Sequence, residues 1–530
     1  MQGIGVWHGG RDGRLFFDKE GLIEAALRFR ETAHVVFDPQ SRQMGVGLGG
    51  VFSSAAEGGL PVLGVLAGIY PEWLGGRRFC EAHGVRFPYV VGEMARGIAT
   101  AHMVIEAGRS GFLGFFGAAG MDAAEVEKNL ERIESALGDV PWGCNLIFAP
   151  GPMEEATTEA LLRCRVKNIS CSAYLAITPS VVRLAVSGIK ADAQGGIHRP
   201  RRLFAKISRP EVARPFLSPA PQAILQELLR RGQITQEEAQ LAARVPLAED
   251  ITMEADSGGH TDNQVLTAMF GVIARLRDDM IRTHGYACPI RLGAAGGIGT
   301  PEAVAAAFAL GADYVLTGSV NESAIESGIA PDAREMLAQA AATDVAMAPA
   351  ADMFEIGAKV QVLKKGTLFA VRANQLYDLY LRYPSIEDIP PETKKRLEAQ
   401  IFQAPLEKIW EETRDFFISR APREIERAER DPKFKMALLF RWYLGQSSRW
   451  PMVGQKDRAM DYQIWCGPAM GAFNAWVKGG FLEPVANRTV AQIGKNLLEG
   501  ACVAVRAQQL ASHGVPMPKE AFAFRPRPLQ

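Results

Sequence analysis

Between residues 86 and 325, short apolar runs alternate with segments of helical period. The runs fall at 87–91, 111–116, 143–148, 168–174, 203–208, 251–256, 290–294 and 314–318. Most are apolar at successive positions, as strands buried on both faces are, and do not alternate in and out. The helical patterns between them cover 97–106, 122–137, 154–164, 178–186, 221–231, 264–284 and 301–310. Asp122 is placed to cap one of these, Gly188 to stop another, and Thr300-Pro301-Glu302 reads as a cap followed by Pro at the first helical position. Eight such units over roughly 240 residues predict an α/β fold, a (β/α)8 TIM barrel, with a doubly wound open sheet as the alternative.

The flanks follow other patterns. Residues 1–85 are Gly-rich and irregular, with strand patterns at 34–37 and 60–66, and predict a small cap or subdomain. The barrel is expected to occupy 86–344, with a helical insertion at about 210–248 in which Thr235 opens a helix. Residues 345–530 predict a mostly helical C-terminal domain, with helices at 374–383, 391–402, 406–418, 422–430, 433–444 and from a Thr489 cap to 512. A Gly-rich stretch at 465–474 interrupts them, and the Pro/Arg-rich tail 522–530 is expected to be loose.

Composition removes several function classes. Lysine plus arginine and aspartate plus glutamate each number 59, so the net charge is zero and a dedicated nucleic-acid surface is not expected. There is no apolar run of about 18 residues to span a membrane. The first eight residues carry neither a basic nor an apolar leader segment. The seven cysteines are scattered and lack a C-x-x-C pair, which fits free thiols in a reducing cytoplasm. The eight histidines show no H-x-x-x-H spacing, so no metal is expected.

The chemistry gathers in loops that follow the strands. Residues 252–263 read Thr-Met-Glu-Ala-Asp-Ser-Gly-Gly-His-Thr-Asp-Asn and place His260 beside Asp256, Ser257, Gly258 and Gly259 at a strand end, where barrel enzymes carry their active sites. A solvated histidine in a Gly-rich turn is the plainer alternative. Ala295-Gly296-Gly297 after the seventh strand and Thr317-Gly318-Ser319 after the eighth fit a phosphate cradle of backbone N–H groups. Gly92-Glu93-Met94-Ala95 follows the first strand, its Gly and Ala small enough for a planar ring to lie over the barrel mouth, and Asn145 in the third offers an amide to a flavin edge or to backbone. Lys206 near the end of the fifth either pairs with a carboxylate or contacts a cofactor. FMN, its phosphate on strands seven and eight, would use all these positions.

The 254–263 loop, Gly-Phe-Leu-Gly-Phe-Phe-Gly-Ala-Ala-Gly at 111–120, the 292–301 segment, Ala-Asp-Met-Phe-Glu-Ile-Gly at 351–357, Gln361-Val362-Leu363 and 461–474 resemble the PfaD-type enoyl reductases. These are trans-acting, FMN-dependent reductases of polyunsaturated-fatty-acid and trans-acyltransferase polyketide synthases, related to nitronate monooxygenases. The resemblance runs from about 60 to 510 and implies an FMN barrel, a helical substrate domain, NADPH as reductant, and an enoyl thioester on an acyl carrier protein as substrate. It departs at Gln264-Val265, where an Arg-Pro pair is expected, and at Ala67-Gly68-Ile69, where prolines are expected.

By position, the resemblance makes Gly92, Met94, Asn145, Lys206, Gly296, Gly297, Gly318 and Ser319 flavin contacts and puts His260 near the ring. The implied reaction is hydride transfer from NADPH by way of FMN to the β-carbon, with His260 or water protonating the α-carbon. An acyl carrier protein within a synthase complex is the implied partner, and the oligomeric state stays open, a homodimer included. An FMN oxygenase like the nitronate monooxygenases and a non-catalytic flavin-bearing subunit are the rival readings.

Overall fold

The computed structural model describes residues 3–54, 58–149 and 151–530; Met1 and Gln2, part of the stretch read for a leader, lie outside them. The barrel closes with all eight strands parallel and in sequence order: Tyr89–Val91, Leu113–Phe116, Gly143–Ile147, Asn168–Ser172, Arg202–Ile207, Asp250–Glu254, Arg291–Ala295 and Tyr314–Thr317. Every strand lies within a residue or two of its sequence pattern, because a run buried on both faces leaves no other element that can hold it.

The barrel interior is packed with Phe79, Val90, Leu113, Phe115, Phe204, Tyr314 and Leu316. Phe79 and His83 come from the helix Arg77–His83, which precedes the first strand and plugs the floor. There His83 Nε2 lies 3.2 Å from Asp250, and Arg291 donates to both Asp250 oxygens at 2.6 and 2.7 Å. Burial favours the neutral acid, but the His83 and Arg291 charges outweigh it and hold Asp250 well below the usual carboxylate range.

Most outer helices follow the sequence pattern, with differences at their ends. The first, Ala101–Arg109, starts later than its pattern because Thr100 accepts the Met103 N–H and fixes the cap there. Asp122 occupies its cap position without a side-chain bond, and Gly188 (φ +82°) follows the end of Pro179–Val186. In the insertion, helices Pro210–Leu217, Gln222–Arg230 and Gln236–Ala242 form, the last opened by a Thr235/Glu238 capping box.

The N-terminal region is more regular than its sequence. It forms a six-stranded antiparallel sheet in the order Arg14–Phe16, Gln43–Leu48, Ala33–Asp38, Leu60–Leu66, Gly5–His8, Val51–Ser53. Two of its glycines, Gly45 and Gly47, lie in a strand against Phe17 and Trp7 and mark close packing, while others such as Gly49 and Gly50 turn the chain at φ +64° and +69°.

The C-terminal part carries the expected helices, among them Phe369–Arg382, Leu406–Arg420, Pro422–Arg430, Pro432–Val453 and Val490–Ser512, and a further helix, Pro468–Val477, where the sequence reads as a Gly-rich interruption. It also has two strands, Val345–Pro349 and Lys359–Leu363, which pair with each other, and the second pairs on its other edge with Gly259–His260 from the barrel loop. The tail is docked, contrary to expectation. Phe524 is buried, Arg527 N donates to Asn496, and Leu529 N donates to Gln492, so two amides on the last long helix hold it. No described helix is long and apolar enough to cross a membrane.

Candidate active site

A cavity of about 580 Å³ opens where the strands end. Of the residues singled out in the sequence, Met94, Asn145, Lys206, Ser257, Gly258, Gly259, His260, Ala295, Gly296, Gly297, Thr317, Gly318 and Ser319 all line it. Gly92 and Asp256 do not. Gly92 is buried against Leu316, and its N–H donates to Thr317. Asp256 turns away to accept from Asn263 and Gln361 at 2.8 and 2.7 Å. Both support the loops that do line the cavity.

Lys206 pairs with carboxylates, the first of its two sequence alternatives. Its ammonium lies 3.2 Å from Glu93 and 3.1 Å from Glu254, and it faces the cavity. Burial alone would strip its proton, but the two carboxylates more than offset this and raise its affinity. Asn145 is divided. Its amide nitrogen donates to Ser170 O and Ser172 Oγ, while its oxygen is buried without a partner. Glu93 Oε2, Ser257 Oγ and Glu322 Oε1 are buried and unpartnered on the same lining. Burial pushes the Glu322 carboxyl up to about 8. Four such atoms around one cavity are a cost that a polar ligand removes.

The glycine loops have the geometry of a cradle. Gly296 has φ +83°, and a Cβ there would meet Ala255 backbone at 2.5 Å. Gly297 (φ +68°) and Gly318 face open space. Among the described residues none accepts from the backbone N–H of Gly297, Gly318 or Ser319. Thr317 is occupied, since its hydroxyl meets Tyr89 and Asn321.

His260 is held over the mouth by strand pairing with Val360 and by Asp352, 3.1 Å from its Nε2. Burial would raise the Asp352 carboxyl, but the His260 bond and charge lower it overall. Gln361 donates to Asp256 and to Ser257 O, and Gly467 N donates to Ser319 Oγ. A Cβ on Gly467 would sit 2.8 Å from Gly258 N, so the 465–474 stretch is Gly-rich where it crosses the histidine loop. Gln264, at the departure from the family pattern, accepts the Asp256 N–H through its carbonyl. Strain gathers here too: Arg96, Ala173 and Asn263 have φ +58°, +59° and +50°.

Sequence reasoning did not single out Glu93, Arg96, Glu322 or Asp352 as site residues. Asp352 lies within a family-like motif but in no periodic element, and only the C-terminal sheet brings it to His260. Among the described residues no cluster of His, Cys, Asp and Glu is arranged to hold a metal.

Fold and site together define a (β/α)8 barrel with a ligand cavity at its strand ends, roofed by a helical C-terminal domain. A crystal structure of the enoyl reductase domain of MlnA, from the macrolactin cluster of Bacillus amyloliquefaciens, is 40% identical, covers 83% of this chain and 99% of that one, and has a TM-score of 0.79. The chain belongs to this family, the PfaD-type enoyl reductases its sequence resembles. A polyunsaturated fatty acid synthase polypeptide of Thraustochytrium is 46% identical over 82% of the chain and 30% of its own length. The polyketide biosynthesis protein PksE of Bacillus subtilis is 46% identical over 83% of the chain and 57% of its own length. The chain thus spans under a third of the first of these relatives and a little over half of the second. FabK of Thermotoga maritima shares the fold at 16% identity, covering 82% of this chain and 98% of that one, with a TM-score of 0.50. Residues 383–462 match the family described as acyl-carrier-protein S-malonyltransferase, inserted helical domain.

Proposed function

We propose that the protein is a trans-acting enoyl reductase, reducing the 2,3 double bond of enoyl thioesters on an acyl carrier protein of a polyketide or polyunsaturated fatty acid synthase. FMN is the resident cofactor and NADPH the reductant in this reading, and the seven free cysteines suit a reducing cytoplasm. The observation that carries it is the meeting, in one cavity, of the open Gly297/Gly318/Ser319 cradle with a histidine clamped by strand pairing and a carboxylate. The names of the 46%- and 40%-identical relatives support the same reading.

The residues present fit the cofactor. Gly296, Gly297, Gly318 and Ser319 would take its phosphate on backbone N–H groups. Asn145 Oδ1 and Ser257 Oγ, unpartnered and buried, would meet polar atoms of the ring system, with Lys206 beside them as a fixed positive charge. Bound there, FMN supplies the hydride carrier between NADPH and the substrate. His260 supplies the proton. Asp352 engages Nε2, which leaves Nδ1 to carry the transferable proton, and the carboxylate stabilises the imidazolium before it gives its proton to the α-carbon. The strand clamp holds that geometry.

The test is turnover. Purified protein should be yellow, and with NADPH and crotonyl-acyl carrier protein it should consume reductant and form the butyryl thioester, read by mass spectrometry. Oxygen-dependent consumption of a nitronate, with the crotonyl thioester left intact, would move it to the oxygenases, and a colourless protein that FMN cannot reconstitute would exclude both.

A further inference from the structure

Arg96 is an unusual residue for its place. It follows the first barrel strand with φ +58°, a left-handed conformation that a residue with a Cβ adopts only where its surroundings impose it. Here they do: its N–H donates to Ala119 O and the next N–H, of Gly97, to Gly117 O, both at 2.8 Å. The side chain passes Gly120, where a Cβ would lie 3.4 Å from Arg96 Cγ, and Nη1 reaches the Gly445 carbonyl at 3.4 Å. Gly445 lies in helix Pro432–Val453, and Arg449 follows one turn later on the same face, exposed.

The two guanidiniums have no counter-ion. Among the described residues no carboxylate is within ion-pair distance of either. The acid whose charge reaches Arg96 is Asp352, already engaged by His260. Burial and the Arg449 charge both work against the Arg96 cation. The other arginine on the cavity lining, Arg209, is paired with Asp262 at 3.0 Å, so the lack at Arg96 is local. Lys359 also lines the cavity and is exposed without a carboxylate partner. A half-buried cation facing a second cation is a cost unless an anion joins them. Guanidiniums suit the oxygens of a phosphate, which they bind with directed, charge-assisted hydrogen bonds.

We propose that Arg96 and Arg449 form a second anion site at the edge of the cavity, apart from the Gly297/Gly318 cradle, that holds a phosphate of the reactant entering beside His260. This rests on the enoyl reductase reading, in which two reactants bring such a group: the reduced nicotinamide dinucleotide and the phosphopantetheine arm. The chemistry recognised is the same, and the experiment separates the sources.

Yellow wild-type protein, Arg449→Ala, Arg96→Ala and Arg96→Lys would be titrated with two pairs of ligands, followed by the visible absorbance change. One pair is crotonyl-phosphopantetheine and crotonyl-pantetheine; the other is NADP+ and NAD+. KM values for the same thioesters and for NADPH and NADH would be measured beside them. Both alanine variants should keep their colour and bind one of the two ligands that carry the additional phosphate (the phosphopantetheine phosphate or the 2′-phosphate of NADP+) about tenfold or more weaker, with the counterpart that lacks that phosphate unchanged. Lysine at 96 should restore part of the loss. The pair that responds names the source. Equal weakening within both pairs, no weakening in either, or loss of colour from both alanine variants would overturn the proposal. If wild type binds these ligands but reduces no enoyl thioester, the functional reading fails while the titration still reports on the anion site.

Discussion

Lys206, Glu93 and Glu254 form a triad in which one ammonium stands between two carboxylates on the cavity wall. Lys206→Met leaves two acids facing each other, and a loss of about 3 kcal/mol of stability in urea unfolding is expected, with weaker FMN retention. His260→Asn should lower kcat about a hundredfold while the bound FMN absorbance stays unchanged, because the histidine serves proton transfer and not binding. Glu322 gives a pH test. Its carboxyl is raised from 4.5 to about 8, so the stability it allows is fully present below 4.5 and is lost as pH rises through about 8. The melting temperature of wild type should therefore fall across that window more than that of Glu322→Gln, whose amide carries no charge at any of these values. At this scale His260, Lys206 and Asn145 were legible because a polar residue at the end of an apolar strand has few reasons to be there. Glu322 was not, since its burial comes from a four-residue helix, Ser319–Glu322, that no periodicity marks.

The elements that carry the site are the strand-end loops and the small sheet above them. Gln361 ties the histidine loop to that sheet through Asp256 and Ser257. Gln361→Leu should keep the barrel's melting temperature within a few degrees yet lower kcat about tenfold, since supporting hydrogen bonds of this kind set the orientation of the groups they hold. All eight barrel strands were legible, because burial on both faces writes a continuous apolar run. The strands Val345–Pro349 and Lys359–Leu363 were hidden within a segment of helical period. They pair with each other, but Lys359–Leu363 also takes Gly259–His260 on its other edge, far earlier in sequence, and local pattern does not encode a partner so distant. The N-terminal sheet was hidden for another reason: its glycines make the segment read as irregular, whereas Gly45 and Gly47 lie in a strand and accommodate Phe17 and Trp7.

The whole molecule is held together from its floor and from its last helix. The His83–Asp250–Arg291 network joins the sixth and seventh strands to the plug helix, fully out of water. Arg291→Met strands a buried carboxylate and should cost about 3–5 kcal/mol, read by denaturant unfolding. Because Asp250 is held below its ordinary range, its contribution is present above that range and is lost as pH falls through its lowered value, so the same variant should also flatten the acid limb of the stability profile. Helix Val490–Ser512 carries Arg506, which donates to the carbonyls of Phe29, Glu31, Leu66 and Ala67 and so fastens the N-terminal sheet to the barrel. That long-range arrangement had no trace in the sequence beyond one arginine in an apolar helix. The central claim is that this whole assembly passes a hydride to an enoyl thioester, and a single anaerobic turnover tests it most directly. Protein reduced with one equivalent of NADPH and mixed with crotonyl-acyl carrier protein should form one butyryl thioester per bound FMN, with the oxidised yellow spectrum returning in step. A spectrum that stays bleached until air is admitted, with the crotonyl thioester intact, would contradict the account.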